Sequence, residues 1–306
     1  MPASELYPTL EAREIGEPNV DAQGEVVRWE RALPFFAQNV IDLGFDLPNP
    51  YGIAIVPLVV DQDLELEGLE VGFNGQPREV IDFVQLGMAD AENVSLQLKA
   101  DVWLLPFMNV FATVGTINGD TRVPLGFAVA DLVDFIGRPG LCSGIVQAPV
   151  CSEYIEAVVK TDYEGYNFTL GTNLAMGWDR YFVTLPISYT WSDIDITDSR
   201  IEALNVSPRF GFTNGVGKAG MLAIFVGATY LDADVDVTGT LAVDTSGIAG
   251  SSDSLLIDFK ISQRNKDKWN YLAGFNWDLD KHWSLHAELG FGGSRENIIA
   301  SLTHRF

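Results

Sequence analysis

Hydrophobic and polar residues alternate along much of this chain, in segments of about ten residues separated by turns. In the segment Val94–Leu104, apolar residues occupy every second position, and most of the positions between them are polar or charged. A period of two is typical of β-strands with one face in apolar surroundings. Its repetition predicts an all-β protein. Similar segments lie at 166–178, 183–191, 269–278 and 283–291.

Aromatic residues mark both ends of these apolar faces. Trp269 and Trp277 bracket one face, and Trp283 and Phe291 bracket the next. Eight residues at about 3.3 Å each, tilted near 40°, span about 20 Å, which is close to the apolar band of a transmembrane barrel. A soluble sandwich has no reason to place rings at both ends of its apolar faces, so the pattern favours membrane strands. The predicted membrane-interface aromatics are Tyr166, Trp178, Trp191, Trp269, Trp277, Trp283 and Phe291.

The connections between the predicted strands are of two kinds. Short turns, such as 105–107 and 279–282, alternate with long polar connections. This asymmetry is typical of a transmembrane antiparallel up-and-down β-barrel, in which the short turns face the periplasm. Counting on this basis predicts ten strands, with Leu255–Ser262 in a loop hairpin; if that alternating segment belongs to the wall, the count is twelve. The predicted extracellular loops lie near 74–92, 117–164 and 232–267.

The first 48 residues differ from the rest. They are polar, irregular and interrupted by prolines, and they allow one short helix between Ala32 and Leu47. The sequence therefore divides into a periplasmic N-terminal segment, 1–48, and a barrel domain, 49–306. No basic region followed by an apolar stretch opens the chain, so we expect the mature form of an exported protein from which the leader has been removed.

Composition narrows the function classes. The 306 residues are 47% hydrophobic, yet no run of 18 apolar residues exists, which argues against a transmembrane helix. The formal net charge of −23 excludes nucleic acid as a partner, because a phosphate-binding surface needs clustered lysine and arginine. The same charge fits acidic loops in a medium rich in divalent cations, and it fits simple solubility or a salt-adapted organism equally well.

Two cysteines, Cys142 and Cys151, are the only ones in the chain. They lie close together in a stretch that contains glycine and proline, which favours a loop-closing disulfide and an oxidising compartment; a pair of free thiols is the alternative. Closing so short a loop stabilises it by about 2–3 kcal/mol. A metal site is not expected here, because neither a histidine nor a second cysteine pair lies nearby.

The last residues of the chain, Ile298–Phe306, resemble the C-terminal strand of outer-membrane proteins of Gram-negative bacteria. In that group a terminal aromatic residue, preceded by apolar residues at alternate positions, is read by the barrel-assembly machinery. Ala300, Leu302 and Phe306 match this pattern, whereas His304 departs from it. The resemblance implies an outer-membrane location among outer-membrane lipids and lipopolysaccharide, with Phe306 as the assembly signal. Stretches similar to poorly characterised proteobacterial barrel proteins are 99–107 and 268–271.

The sequence contains no recognisable catalytic motif: it lacks Gly-x-Ser-x-Gly, His-Glu-x-x-His and a phosphate-binding glycine loop. Its three histidines are His282, His286 and His304. Barrel proteases of the omptin type place their catalytic histidine at the extracellular rim, whereas His286 lies near a predicted periplasmic turn. Phospholipase-type barrels need a lipid-facing Ser–His pair, whereas His286 faces the lumen and His304 has no assigned nucleophile. We therefore predict no enzyme activity, no cofactor and no metal site.

Charges of both signs occupy the lumen-facing positions of the predicted strands. They can form a satisfied network that fills a narrow interior. They can equally line an aqueous constriction whose fixed charges select permeants. The predicted lumen residues are Lys99, Asp101, Arg209, Asp278, His286, Glu288 and Arg305.

These two arrangements correspond to two function classes. The first is a small channel or substrate-specific uptake pore for a small molecule or an ion. The second is a structural or interaction barrel, adhesin-like or partner-binding, with a plugged lumen. The sequence favours the first class but names no permeant.

Overall fold

A computed structural model of the chain describes residues 26–45, 47–73, 75–135, 142, 149–178, 180–197, 199–233, 235–243 and 255–306. Two α-helices lie in this part of the chain, α1 (Ala37–Ile41) and α2 (Val129–Phe135), and neither is long or apolar enough to span a membrane. The strands described are β1 (Tyr51–Phe73), β2 (Glu79–Val80), β3 (Gln85–Leu86), β4 (Ala89–Leu105), β5 (Met108–Ala128), β6 (Tyr154–Trp178), β7 (Tyr181–Ile194), β8 (Ile201–Val206), β9 (Arg209–Gly215), β10 (Met221–Asp232), β11 (Val235–Val243), β12 (Leu255–Asn265), β13 (Trp269–Asp278), β14 (Trp283–Phe291) and β15 (Arg295–Arg305).

The wall is a closed antiparallel sheet. β1 pairs with β4 on one side and with β15 on the other, from Gly52↔Arg305 to Gln62↔Arg295, so the first and last wall strands meet. β8 and β9 form one wall strand, since both pair with β7 and β10 in continuous register across Pro208, which has no N–H to donate. The ring of hydrogen bonds passes through ten strands, which confirms the predicted antiparallel barrel.

The two faces of the wall have opposite character. On β4, Val94, Leu96 and Leu98 are 54%, 56% and 53% exposed on the exterior, whereas Ser95 on the interior face is 2% exposed. Polar residues inside and apolar residues outside are the reverse of a soluble barrel. They are the distribution expected when lipid covers the exterior and polar groups meet in the lumen.

The alternating segment Leu255–Ser262 lies in β12, which pairs with β11 to form a hairpin. β12 pairs with the far part of β1, from Leu64↔Asn265 to Phe73↔Ile257, beyond the point where β1 leaves β15. The interpretation of this segment as a loop hairpin is therefore confirmed, and the twelve-strand alternative is wrong.

Several strands continue past the apolar band. β5 and β6 stay paired as far as Ala128↔Tyr154, so their connection is 129–153, and much of the range 117–164 lies in strands. β4 likewise begins at Ala89, inside the range 74–92. The sequence pattern did not mark these extensions, because strands surrounded by water on both sides need no apolar face.

The connection between β5 and β6 is tied together at its base. Val129 N donates a hydrogen bond to Glu153 O at 3.1 Å. Cys142 and Cys151 form a disulfide, which confirms the predicted bond. Helix α2 contributes the Phe135 ring, which lies 5.6 Å from the ring of Phe83 in the neighbouring connection.

The wall has two distinct ends, here named the short-turn end and the long-loop end. At the short-turn end β4 and β5 are joined by the turn at Pro106–Phe107, and Tyr51 and Phe306 bond each other through both backbone amides, at 3.2 and 3.0 Å. The N-terminal segment joins this end, since Phe35 N donates to Leu104 O at 2.9 Å. Helix α1 lies in the same segment, and its residues Ala37 and Ile41 are buried. The first 25 residues of the predicted segment 1–48 lie outside the described residues.

Candidate functional site: the barrel lumen

The seven side chains predicted to face the lumen lie on the interior face of the wall. Buried residues of the same parity on the same strands, such as Ser95 on β4 and Thr303 on β15, show which face that is. β4 and β9 carry three of the seven, and β13, β14 and β15 carry the other four. The residues are Lys99, Asp101, Arg209, Asp278, His286, Glu288 and Arg305.

Asp101 is the centre of one lumen cluster. Its side chain has no exposed surface, and its carboxylate accepts a hydrogen bond from Asn109 Nδ2 at 2.8 Å. Arg305 Nη2 lies 3.0 Å from Asp101 Oδ2, and Lys99 Nζ lies 3.9 Å from Oδ1. Gly52 stands opposite Asp101 in the register, and a Cβ at that position would lie 2.6 Å from Oδ1. The glycine therefore leaves the room that the carboxylate occupies.

Glu288 and Arg209 form the second cluster. Arg209 Nη2 lies 2.7 Å from Glu288 Oε2, and the glutamate side chain is 3% exposed. The Arg209 guanidinium also lies over the Phe225 ring, 5.3 Å from its centroid. His286 stacks on the same ring, with centroids 5.5 Å apart and planes 15° apart. The pair is thus held against an aromatic surface inside the barrel.

Direct contacts divide the lumen charges between these two clusters. Asp101 is paired with Arg305, and Glu288 is paired with Arg209. The buried Asp278 belongs to neither pair, and its Oδ2 accepts a hydrogen bond from Asn276 Nδ2 at 2.9 Å. Lys99 interacts electrostatically with Asp101 and, more weakly, with the positive charges of Arg305 and Arg209. Two lumen carboxylates are therefore paired with arginines, and Lys99 has no hydrogen-bonded carboxylate of its own.

A third polar group was missed in the sequence. Arg295 Nη2 donates to Asn270 Oδ1 at 2.8 Å, and Asn270 Nδ2 donates to Asn297 Oδ1 at 3.3 Å. Asn167 Nδ2 donates to Ser95 Oγ at 3.0 Å. These side chains fill the interior away from the short-turn end. Strand parity could have predicted Arg295, because it lies on the same face of β15 as Arg305, which was predicted to face the lumen.

A cavity of about 520 Å³, here named the lumen cavity, lies in the interior toward the short-turn end. Five of the seven predicted lumen residues line it, whereas Asp101 and Glu288 do not. Within the part of the chain described, no group of three His, Cys, Asp or Glu side chains is arranged to hold a metal ion. The five lining residues are Lys99, Arg209, Asp278, His286 and Arg305.

Apolar and polar side chains together form the rest of the lumen cavity. Wall strands and turns contribute Trp103, Phe107 and Phe182. The N-terminal segment contributes Val40 and Phe45, so it covers part of the cavity from the short-turn end. Ligand pockets commonly have volumes of about 300–1,000 Å³ and a few polar groups. A cavity of about 520 Å³ with cations and aromatic rings in its lining can therefore hold a small molecule.

The seven predicted interface aromatics lie on the exterior face. Tyr166, Trp269 and Phe291 are exposed near the long-loop end, and Trp178 and Trp283 are exposed near the short-turn end. The other two, Trp191 and Trp277, are half-buried: Trp191 stacks on Phe168, and Trp277 Nε1 donates to Ala219 O. The rings thus form two girdles around the apolar band.

Comparisons with known proteins give structural similarity only. The chain matches no protein-family description and no curated protein. It resembles the toluene transporter TbuX of Ralstonia pickettii, at 8% identity, 85% of this chain, 90% of that chain and a TM-score of 0.32. It also resembles the toluene transporter TodX of Pseudomonas putida, at 11% identity over 90% of this chain and 92% of that chain, with a TM-score of 0.30. A third similar structure is the translocator domain of the autotransporter NalP of Neisseria meningitidis, at 9% identity over 88% of this chain and 92% of that chain, with a TM-score of 0.35. Similarity at this level carries no information about what this chain binds.

Proposed function

We propose that this chain is an outer-membrane β-barrel of a Gram-negative bacterium, and that its lumen is a narrow, selective pathway for a small permeant. The observation that carries the proposal is the lumen cavity of about 520 Å³, lined by charged side chains inside a closed wall. Fixed charges in a constriction select permeants by sign and size. A barrel built only for structure would gain stability by filling that space.

The membrane location is supported by the exterior of the wall. An apolar band flanked by two girdles of aromatic rings matches the cross-section of a bilayer. We expect the protein to fractionate with outer membranes, to need detergent for extraction, and to migrate differently on a gel before and after boiling. A detergent-independent soluble monomer would contradict the location.

Conduction is tested in planar bilayers with the purified full chain. Discrete conductance steps above the background of protein-free detergent are the expected result. Reversal potentials in a salt gradient then give the sign of the preferred ion. Boiled protein, which has lost the barrel, is the matched control. A correctly folded barrel with no conductance would overturn the channel.

The second candidate is an interaction barrel with a plugged lumen. The hydrogen-bonded side chains around Arg295, Asn270 and Asn297 favour it, because they fill the interior beyond the lumen cavity. The long strands β5 and β6 would then serve to present the disulfide-bonded loop. Absent conductance, together with loop-dependent binding to bacterial or host surfaces, would select this candidate.

The expected partners follow from the same location. We propose lipid and lipopolysaccharide on the exterior, and the barrel-assembly machinery acting on the last strand. Phe306 supports this role, since it ends the wall at the short-turn end and its ring lies 6.0 Å from that of Tyr51. Deleting Phe306 should reduce the amount of assembled barrel in cells, while barrel refolded in detergent is little changed. Equal loss in both would assign Phe306 to stability alone.

A further inference from the structure

We propose that the lumen cavity binds a small organic anion, a carboxylate attached to an aromatic body. This proposal rests on the proposed function only in that it names the class of permeant. Binding itself needs the cavity and its side chains, and does not require that the barrel conduct.

The cavity concentrates positive charge in an acidic protein. Lysine and arginine together account for only 19 of the 306 residues, and the net charge is −23. Four of these cations nevertheless line the lumen cavity, namely Lys99, Arg209, Lys281 and Arg305. The grouping is therefore a local feature that the overall composition does not explain.

Two of the buried carboxylates do not line the cavity. Asp101 and Glu288 neutralise Arg305 and Arg209 without lining the cavity. The cavity does have two carboxylates, Asp278 and Asp280. Asp280 Oδ1 accepts the backbone N–H groups of its own turn, and Asp278 Oδ2 accepts a hydrogen bond from a neighbouring asparagine. Both carboxylates thus already accept hydrogen bonds from the wall and its turn.

Lys99 has capacity left for a ligand. Its nearest carboxylate oxygen, Asp101 Oδ1, is 3.9 Å away, which is beyond hydrogen-bonding distance. Its ammonium lies over the Phe111 ring at 4.8 Å, and the side chain keeps 30% exposure. The positive charges of Arg305 and Arg209 also act on Lys99, although more weakly than the attraction of Asp101. A ligand carboxylate would give the ammonium a charge-assisted hydrogen bond that Asp101 does not supply.

Aromatic side chains in the cavity lining favour a ligand with an aromatic ring. Trp103, Phe107, Phe182 and Phe225 line the same cavity as Lys99. Aromatic side chains pack against planar ligands by stacked and edge-to-face contacts. A single-ring carboxylate such as benzoate fits within a cavity of about 520 Å³. There its carboxylate can contact the cations while its ring contacts the aromatic side chains. The chemistry thus favours an aryl carboxylate over an inorganic anion, which would leave the rings without a partner.

Calorimetric titration of the full-length barrel in detergent tests the proposal, with benzoate as the probe and benzamide as its uncharged analogue. Protein is also refolded in the presence of each compound, so that access through the N-terminal segment does not limit binding. We expect benzoate to bind at one site per barrel and benzamide to bind more weakly. Lys99→Met should weaken benzoate binding about tenfold or more, because it removes a charge-assisted hydrogen bond.

Two further variants make this result specific. Lys99→Arg should retain benzoate binding, because it keeps the charge. Lys160→Met, which removes an exposed cation on β6 outside the lumen, should leave it unchanged. Lys99→Met is expected to fold, since Asp101 keeps Arg305 and Asn109, and its gel shift on boiling checks this.

The outcomes separate this proposal from the channel. Benzoate binding that depends on Lys99 in a barrel without conductance would uphold the anion site and overturn transport. A conducting barrel that does not bind benzoate, even after refolding with it, would overturn the anion site and leave the channel. Equal binding of benzoate and benzamide, or an unchanged affinity in folded Lys99→Met, would also overturn it.

Discussion

Removing the positive partner of Glu288 should strongly destabilise the barrel. The Glu288 side chain is 3% exposed and its carboxylate lies 2.7 Å from Arg209 Nη2. Two unit charges at that distance attract by about 6 kcal/mol at an effective dielectric constant of about 20. Desolvation of both groups opposes this attraction, and breaking such a buried pair by removing one partner costs about 3–5 kcal/mol. We expect Arg209→Met to lower the free energy of unfolding by that amount.

The double variant Arg209→Met with Glu288→Met separates the lost partner from the lost pair. Replacing both charges by apolar side chains of similar volume is commonly neutral or stabilising. The double variant should therefore recover most of the stability that Arg209→Met loses. Arg200→Met is the matched control, because its bidentate pair with Asp193 is exposed and should matter little.

Equilibrium unfolding by urea in lipid vesicles, followed by tryptophan fluorescence, measures all four proteins. The reasoning is refuted if Arg209→Met loses no more stability than Arg200→Met. A double variant no more stable than Arg209→Met would refute it as well. Either result would mean that water screens the lumen pair and that the interior is hydrated around Glu288.

Four further results are expected. Thiol labelling of the denatured, unreduced protein should find no free cysteine, and two labels per chain would exclude the loop disulfide. Deleting residues 1–45 should raise bilayer conductance, because that segment covers part of the lumen cavity; an unchanged conductance would show that it obstructs nothing. Gly52→Ala should lower stability by about 1–3 kcal/mol and depress the temperature of gel-shift loss, because its Cβ would meet Asp101. Hydrogen bonds from Ser262 and Lys260 lower the pKa of Asp236 in the β11–β12 hairpin. The ionised Asp236 therefore stabilises the hairpin fully above the ordinary carboxyl pKa, and this stabilisation is lost as the pH falls through the lowered pKa. Hydrogen exchange in the hairpin should follow this profile, and Asp236→Asn should remove it.

The alternation of residue types was enough to predict the wall. Because successive side chains point to opposite faces, the parity of Lys99 or Glu288 within its strand determines whether it faces lipid or lumen. Parity does not determine which lumen residues touch. Contacts between distant strands, such as Arg209 on β9 with Glu288 on β14, depend on the tilt and stagger of the closed barrel, which the sequence pattern does not reveal.

The lumen cavity and the strand extensions were not predicted for different reasons. The cavity depends on how the N-terminal segment packs against the short-turn end, and Val40 and Phe45 lie in a stretch with no strand periodicity. The extensions, such as 154–164 in β6, lie beyond the apolar band. Charged residues there face water, so the exterior no longer alternates with the interior in hydrophobicity.

The shared pairing of β1 affects the order in which the barrel can close. The β11–β12 hairpin precedes the last three strands in the chain, yet it pairs with the same strand as β15 does, farther along β1. When the hairpin meets β1, the loop that remains to be closed contains only β13, β14 and β15, so the last step costs little chain entropy. The seam between the first and last strands is thereby aligned before it forms, and its register is set from the long-loop end toward the short-turn end.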